Sequence, residues 1–422
     1  MKIRTRKQEG AILVTTMVVC AVLGITLGLT MLWARDHNYY MKRSQAWNKA
    51  IPVLEAGIEE ALAHLHDFPD NRGVNGWKIS GSYHYKGRDI GDDAKYYVTI
   101  SNTPPVIVSQ GSVKVPLKSA SWITRTVKVT TIPRPLFPTS LATKNYVDLN
   151  GNNVLVDSFD SSTNAYSTGG HYDVTKRKDG GNVSVNAGIN NAFNAGNANI
   201  YGKVAVGSGG TVTVGPNGGI GSTAWHNAGN NGIESGWVTY DANVSFPAID
   251  DAPASGLTPL SGTVGGVGYQ YILSGGTYDV SQLSGGAFVA ADSILIVRDK
   301  FSIDSSKAIV LATNATLKVY CYAPDATVTG QGLVNPGTGK NFLYFGMPSN
   351  TSMNFNGLVN FIGVVYAPDA NIKMGGGGNA INFQGAVMGK SLTLGGGFNM
   401  HYDESLKNFR KAGYIVVTWN EI

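Results

Sequence analysis

The sequence predicts a mainly β protein: an N-terminal membrane-spanning α-helix with a small antiparallel sheet, followed by a parallel β-helix, or solenoid. Three observations predict it. The 422 residues include 54 glycines and only 14% charged residues, a composition that suits an extended β architecture with many tight turns better than a helical bundle. The glycines crowd between residues 150 and 400, among Asn, Ser, Thr and short β-prone runs. Near the amino terminus, AILVTTMVVCAVLGITLGLTMLWA runs for 24 residues, 11–34, without a charge.

Residues 1–10, MKIRTRKQEG, form a basic leader. The formal net charge is +5, and Lys2, Arg4, Arg6 and Lys7 against Glu9 supply +3 of it (four minus one). The rest of the chain is close to neutral, which gives no case for nucleic-acid binding. As a helix, residues 11–34 would be about 36 Å long, enough for the roughly 30 Å hydrocarbon core of a bilayer. The run is longer than a secretory h-region and ends in LTMLWARD, a poor cleavage site. A lipoprotein signal is set aside because Cys20 follows Val18 and Val19. The leader places the amino terminus in the cytoplasm and the remainder outside. Cys20 lies in the apolar run and Cys321 about 300 residues away, so neither is read as half of a disulfide.

The boundary between leader and helix carries a resemblance. RKQEG followed by AILVTTMVV resembles the class III signal of type IV prepilins. The resemblance implies that a prepilin peptidase cuts after Gly10, methylates Ala11 and leaves the helix in place as anchor and polymerisation element. The fifth residue of the mature chain, glutamate in shaft-forming pilins, is Thr15 here. That departure resembles PilX-type amino termini and the large pseudopilin of filament tips, and implies a minor component. The partners implied are the peptidase, other pilin or pseudopilin subunits and the cytoplasmic membrane.

Residues 35–66 continue as an amphipathic helix. Ile51, Leu54, Ile58, Ala61, Leu62 and Leu65 recur at steps of three and four and ask for a covering element. Pro52 is expected to kink or restart the helix. EAGIEEAL here also resembles the PilX-type group. His64 and His66 point about 200° apart on a helix and read as a surface pattern; the other histidines are scattered singly, so no metal site and no cofactor is expected. Residues 67–138 read as a small antiparallel sheet, with strands in KYYVTISN, SVKVPL and SWITRTVKVTTI separated by turns at NTPP, SQG and KSA. PRPLFP is expected to end it. The helix stripe can pack on this sheet, the arrangement of pilin-like proteins.

Residues 139–402 consist of short β runs at spacings near ten residues. A solenoid of roughly ten rungs is favoured by an internal echo, YAPDATVTG from Tyr322 and YAPDANIKMG from Tyr366, whose 44-residue interval is about two rungs. It is favoured too by the scarcity of charge, 18 Asp, Glu, Lys or Arg between residues 181 and 400, as stacked rungs with Asn, Ser and Gly turns require. A β-sandwich is the alternative. FIGVVYAPDANIKMGGGGNAINFQGAVMGKSLTLGGGFNMHYDESL resembles the region found behind PilX-type amino termini in bacterial surface proteins. In residues 403–422, Asp403 reads as the N-cap of a helix ESLKNFRKA with Gly413 as C-cap, before a last strand YIVVTWNEI that either caps the solenoid or returns to the small sheet.

The expected function is structural, not enzymatic: a minor pilin or pseudopilin-like component that displays its β-helix on the cell surface for assembly or adhesion, with surface polysaccharide a further candidate partner. Gly10 and Ala11 are its processing site, and Thr15 and Pro52 its anchor and assembly residues. Two other classes stay open: a tethered β-helix enzyme acting on carbohydrate, and a plain single-pass envelope protein. For the enzyme the candidates are Asp157, Asp160, Asp250, Asp251, Asp299 and Asp304, of which the first two read as turn-capping residues and Asp250–Asp251 as a loop. Gly375–Gly378 lacks the Lys-Ser/Thr of a phosphate loop and reads as a rung corner.

Overall fold

Alanine and leucine at helical spacing carry the amphipathic segment onto its sheet. In the computed structural model, which describes residues 9–68, 73–101, 104–116, 121–151, 154–249, 252–357, 360–375 and 381–422, one helix, α1, runs unbroken over Glu9–Asp67. The anchor and the amphipathic segment are therefore one element. Pro52 does not divide them: it sits on the exposed side of the helix, where a carbonyl freed by the missing N–H can turn to water. Ala46, Ala50, Leu54, Ile58, Ala61 and Leu65 are buried, a stripe that begins further toward the amino terminus than expected, with Ile51 and Leu62 only partly covered.

The covering element is an antiparallel sheet of β1 (Lys78–Ser80), β2 (Tyr83–Ile90), β3 (Ala94–Ser101), β4 (Val106–Lys114), β5 (Trp122–Pro135) and β6 (Arg410–Glu421), adjacent in that order. Val98, Ile100, Ile107, Val127 and Val129 alternate inward to meet the helix. SQG is not a turn, because Ser109, Gln110 and Gly111 lie within β4. A side chain at Gly111 would stand 2.6 Å from Ala50 O and Leu54 N, so this glycine sets how closely the helix lies on the strand. Ser109 Oγ adds a 2.8 Å bond to Leu54 O. β5 runs two residues past Pro133 before it ends. The expected carboxy-terminal helix is only a 3₁₀ turn, Glu404–Asn408, with Asp403 as N-cap accepting from Ser405 N. Gly413 lies inside β6 at φ 118°, and the last strand returns to the small sheet. The chain divides into two compact units, one reaching Arg134 and including Lys411–Ile422, the other Pro135–Arg410.

The second unit is a parallel β-helix with three sheet faces. On one face the inward ladder passes, one residue per layer, through Tyr278, Leu295, Val319, Tyr344, Val365, Val387, Leu141, Val183, Val204 and Val238. Order in space is thus not order in the chain. Coils 141–159, 183–201, 204–221 and 232–239 stack outward in sequence; the chain then crosses to the far end, and coils from 260 to 403 wind back until the last lies against the first. At the far end a hairpin turning at Gly265–Gly266, both with positive φ, lays strand Leu260–Val264 antiparallel on the outermost coil, and covers its edge.

Residues 240–249 and 252–256 belong to the crossing strap. Its Val244, Phe246, Ile249 and Ala252 pack on Tyr320, Leu343, Phe345, Val364, Tyr366 and Met388, which point outward from that same face. Asn186 holds Val244 by two bonds of 2.7 and 2.8 Å, Tyr366 OH donates to Pro247 O at 2.6 Å, and Arg298 donates to Ala254 O at 2.9 Å. The strap explains why VYC, FLYFG and GVVYA are apolar on every residue, since strands covered on both faces lose the alternation seen in NVSV and TVTV. The two echo copies stand two coils apart but out of register: Asp325 aligns with Ser352 and Ser352 with Asn371, not Asp369.

Candidate functional site

Two places concentrate unusual side chains. The first is the amino-terminal part of α1. Its apolar stretch is uncovered and is long and apolar enough to cross a membrane. Ile12, Leu13, Met17, Leu23, Leu29 and Trp33 are each at least 60% exposed. Thr16 Oγ1 turns back to Ile12 O and Leu13 O at 3.0 and 2.9 Å, so a hydroxyl here costs the apolar surface little. Thr15 belongs to the same exposed segment, and Gly10 and Ala11 lie in its first turn. Residues 1–8 of the leader lie outside the described residues. Pro52 is placed elsewhere, on a recess of about 360 Å³ beside Lys42, Lys49, Asp93 and Lys114.

Lower on α1, Glu60 gathers Lys86 and Arg88, each at 2.8 Å, and the Tyr96 hydroxyl. Burial alone would raise the Glu60 pKa, but the Lys86 and Tyr96 hydrogen bonds and the charges of Lys86 and Arg88 outweigh it, and it lies below the ordinary value. Burial and the same carboxylate push the Tyr96 hydroxyl up to about 12. His64, expected at the surface, is 3% exposed and stacks on Trp77 with ring centroids 4.8 Å apart. Trp77, just before β1, covers the helix face on which His64 lies.

The second place is the seam where the last coil meets the first. Asp157, on coil 141–159, and His401, on coil 381–403, are 0% and 1% exposed and 2.6 Å apart through Oδ1 and Nδ1. Tyr172 donates its hydroxyl to Asp157 Oδ2 at 2.6 Å and lays its ring on His401 with centroids 3.5 Å apart. Asn382 Oδ1 stands 3.2 Å from His401 Nε2 and accepts a second bond from Asn399 Nδ2 at 3.2 Å. Next to them Glu404 takes Ser158 Oγ at 2.8 Å and Lys178 Nζ at 2.7 Å. Desolvation of Glu404 is outweighed by these bonds and by Lys407, so its pKa is lowered, whereas burial and the Asp157 charge and bond raise that of Tyr172. Asp403 takes Ser161 N and Oγ and Ser405 N.

Comparison with known proteins covers only part of this. Residues 247–409 match a family model described as Domain of unknown function (DUF7305). That is less than half of the chain. It corresponds to the end of the strap, every coil from 260 to 403 and the 3₁₀ turn. The seam cluster straddles its limits: Asn382, His401, Asp403 and Glu404 lie within the DUF7305 match, Asp157, Tyr172 and Lys178 outside it. No curated protein matches the chain. A solved structure, the competence-associated pilin ComZ from Thermus thermophilus, is similar over 89% of this chain and 97% of that one, at 9% identity and a TM-score of 0.21. A superposition that loose adds nothing to the fold read from the strands.

Among the described residues, the acidic side chains singled out in the sequence do not assemble. Asp160 and Asp304 close Asx turns, accepting from Ser162 N at 3.0 Å and Ser306 N at 2.8 Å; the Ser306 bonds hold Asp304 below the ordinary carboxylate range. Asp299 accepts from Ser281 at 2.5 Å. Asp157 is not the turn cap expected but the buried partner of His401. Asp250, Asp251 and Gly376–Gly378 lie outside the described residues. Sequence reasoning missed the seam cluster, whose central pair is 244 residues apart in a chain with no spacing signal to join them. Cys321 is buried and free, its thiol pushed up to about 11 by burial, the reverse of what a reactive cysteine needs.

Proposed function

We propose that this chain is a minor pilin or pseudopilin-like structural subunit whose helix anchors it in the cytoplasmic membrane and then joins a filament, with the β-helix displayed outside. One observation carries the reading. A single helix is apolar and uncovered over one half and packed on an antiparallel sheet over the other, so the uncovered half needs lipid or the helices of neighbouring subunits around it. The leader supports the route: cleavage after Gly10 by a prepilin peptidase, methylation of Ala11, and retention of residues 11–34. Thr15 supports the rank, because an uncharged fifth residue neither pays the desolvation of a buried carboxylate nor answers a neighbour's amine. In this reading the amino terminus begins in the cytoplasm, and the body acts by presentation, not by catalysis.

The mature amino terminus tests this. Mass spectrometry of the chain isolated from its own membranes is expected to give a first residue of N-methylated Ala11. An intact Met1 would overturn the route.

A further inference from the structure

The six-stranded sheet ends differently at its two edges. At one stands β1, three residues long, exposed throughout and carrying Lys78. At the other stands β6, 12 residues long, with β5 on one side and, among the described residues, no strand on the other. Edge strands are ordinarily blunted by charge, proline or a bulge, because their unpaired N–H and C=O groups recruit another strand. From Gly413 to Trp419, GYIVVTW, β6 contains neither charge nor proline. Val416 is 40% exposed, Val417 55% and Trp419 45%. Since successive residues point to opposite faces, apolar surface is open on both. The edge is also held in place: Arg125 grips Glu421 with two bonds of 2.7 and 2.6 Å, Thr130 meets Thr418 at 2.5 Å, and Ile422 N donates to Thr126 O at 3.0 Å.

We propose that the free edge of β6 is a self-association site that takes β6 of a second copy of this chain, antiparallel and centred on Val417. A backbone edge selects an extended strand as its occupant, because only a strand repeats N–H and C=O at the matching interval. The side chains select a copy. Pairing about Val417 sets Ile415 opposite Trp419, Val416 opposite Thr418 and Val417 opposite itself, β-branched and aromatic pairs of the kind that stabilise neighbouring strands, with no like charges opposed. The contact is isologous and closes at two copies, merging the two sheets into one. None of this depends on the pilin reading.

Cysteine cross-linking of the full-length chain in detergent tests it. Cys20→Ser removes the exposed thiol, and single cysteines then replace, in turn, each of residues 415 to 419, with Lys128→Cys on the neighbouring strand as reference. Residues facing each other across the axis would have Cα atoms about 4.5–5.5 Å apart, within disulfide reach. Covalent dimer is therefore expected to peak at Val417→Cys, fall away on both sides and be absent at Lys128→Cys. Independently, Val417→Lys, which sets two lysines on the axis at an already exposed position, is expected to weaken the dimer about tenfold or more by light scattering while leaving the far-UV circular dichroism unchanged. A monomeric wild-type chain, cross-linking at Val417→Cys no greater than at Lys128→Cys, or a dimer indifferent to Val417→Lys overturns the proposal. Each readout stands whatever the mature amino terminus proves to be.

Discussion

Glu60 is held by two cations and a phenol at the point where α1 crosses the sheet, and its lowered pKa makes it a source of pH-dependent stability. A carboxylate whose folded pKa lies below its unfolded value contributes stability that is fully present above the unfolded pKa, about 4.3. That contribution is lost as pH falls through the folded value. Thermal unfolding of the wild-type chain is therefore expected to drop as pH falls below about 4.3, the unfolded value, and Glu60→Gln to flatten that part of the profile; equal slopes would remove Glu60 from the account. The sequence offered no sign of this cluster. Glu60 stood in EAGIEEAL as one of several polar residues on a helix, and its partners come from strands that only the fold brings near. His64 misled for a related reason, since the ring that covers it, Trp77, lies beyond the end of the helix.

At the scale of elements, local pattern was a good guide wherever one face was wet. The stripe on α1 and the alternation of β3 and β5 were legible because each element is half exposed. Where the pattern failed, a second contact had changed its meaning. The glycine of SQG looked like a turn because a turn is the commonest use of Gly after Ser and Gln, whereas Gly111 is there for the backbone of α1. Gly111→Ala is expected to destabilise the first unit by about 1–3 kcal/mol, the usual cost of forcing a methyl into a packed contact, measured by urea unfolding. A change under about 0.5 kcal/mol, the scatter of ordinary surface substitutions, would mean that the helix can lift off the strand freely. Pro52 marks the opposite case, where a residue that breaks helices in general is tolerated on the exposed side of an unbroken helix.

For the whole molecule, composition and spacing sufficed for a solenoid but not for its winding. Parallel stacking joins backbone to backbone, so any coil can lie on any other that matches its length and inward volume, and nothing local says that the coil ending at Asp403 should meet the coil beginning at Leu141. The seam cluster supplies the missing specificity through side chains. Asp157→Asn, which turns one acceptor of the buried hydrogen-bonded cluster into a donor, is expected to cost about 1–3 kcal/mol, as leaving a buried polar group unsatisfied does, and to speed amide exchange in residues 160–180, which cover the cluster, more than in the coils around Leu295. Uniform exchange throughout would show that the pair does not hold the seam.

The winding also sets a timetable. When coil 141–159 is first made it has neighbours on one side only, and Leu141, Val147 and Val156 wait for partners whose sequence lies beyond residue 380. Contacts this distant form late, and an unpaired parallel edge is a place where chains misassemble in the meantime. Two half-built columns therefore coexist until the final coil slides between them, and the buried pair of Asp157 and His401 is the latch that records its arrival.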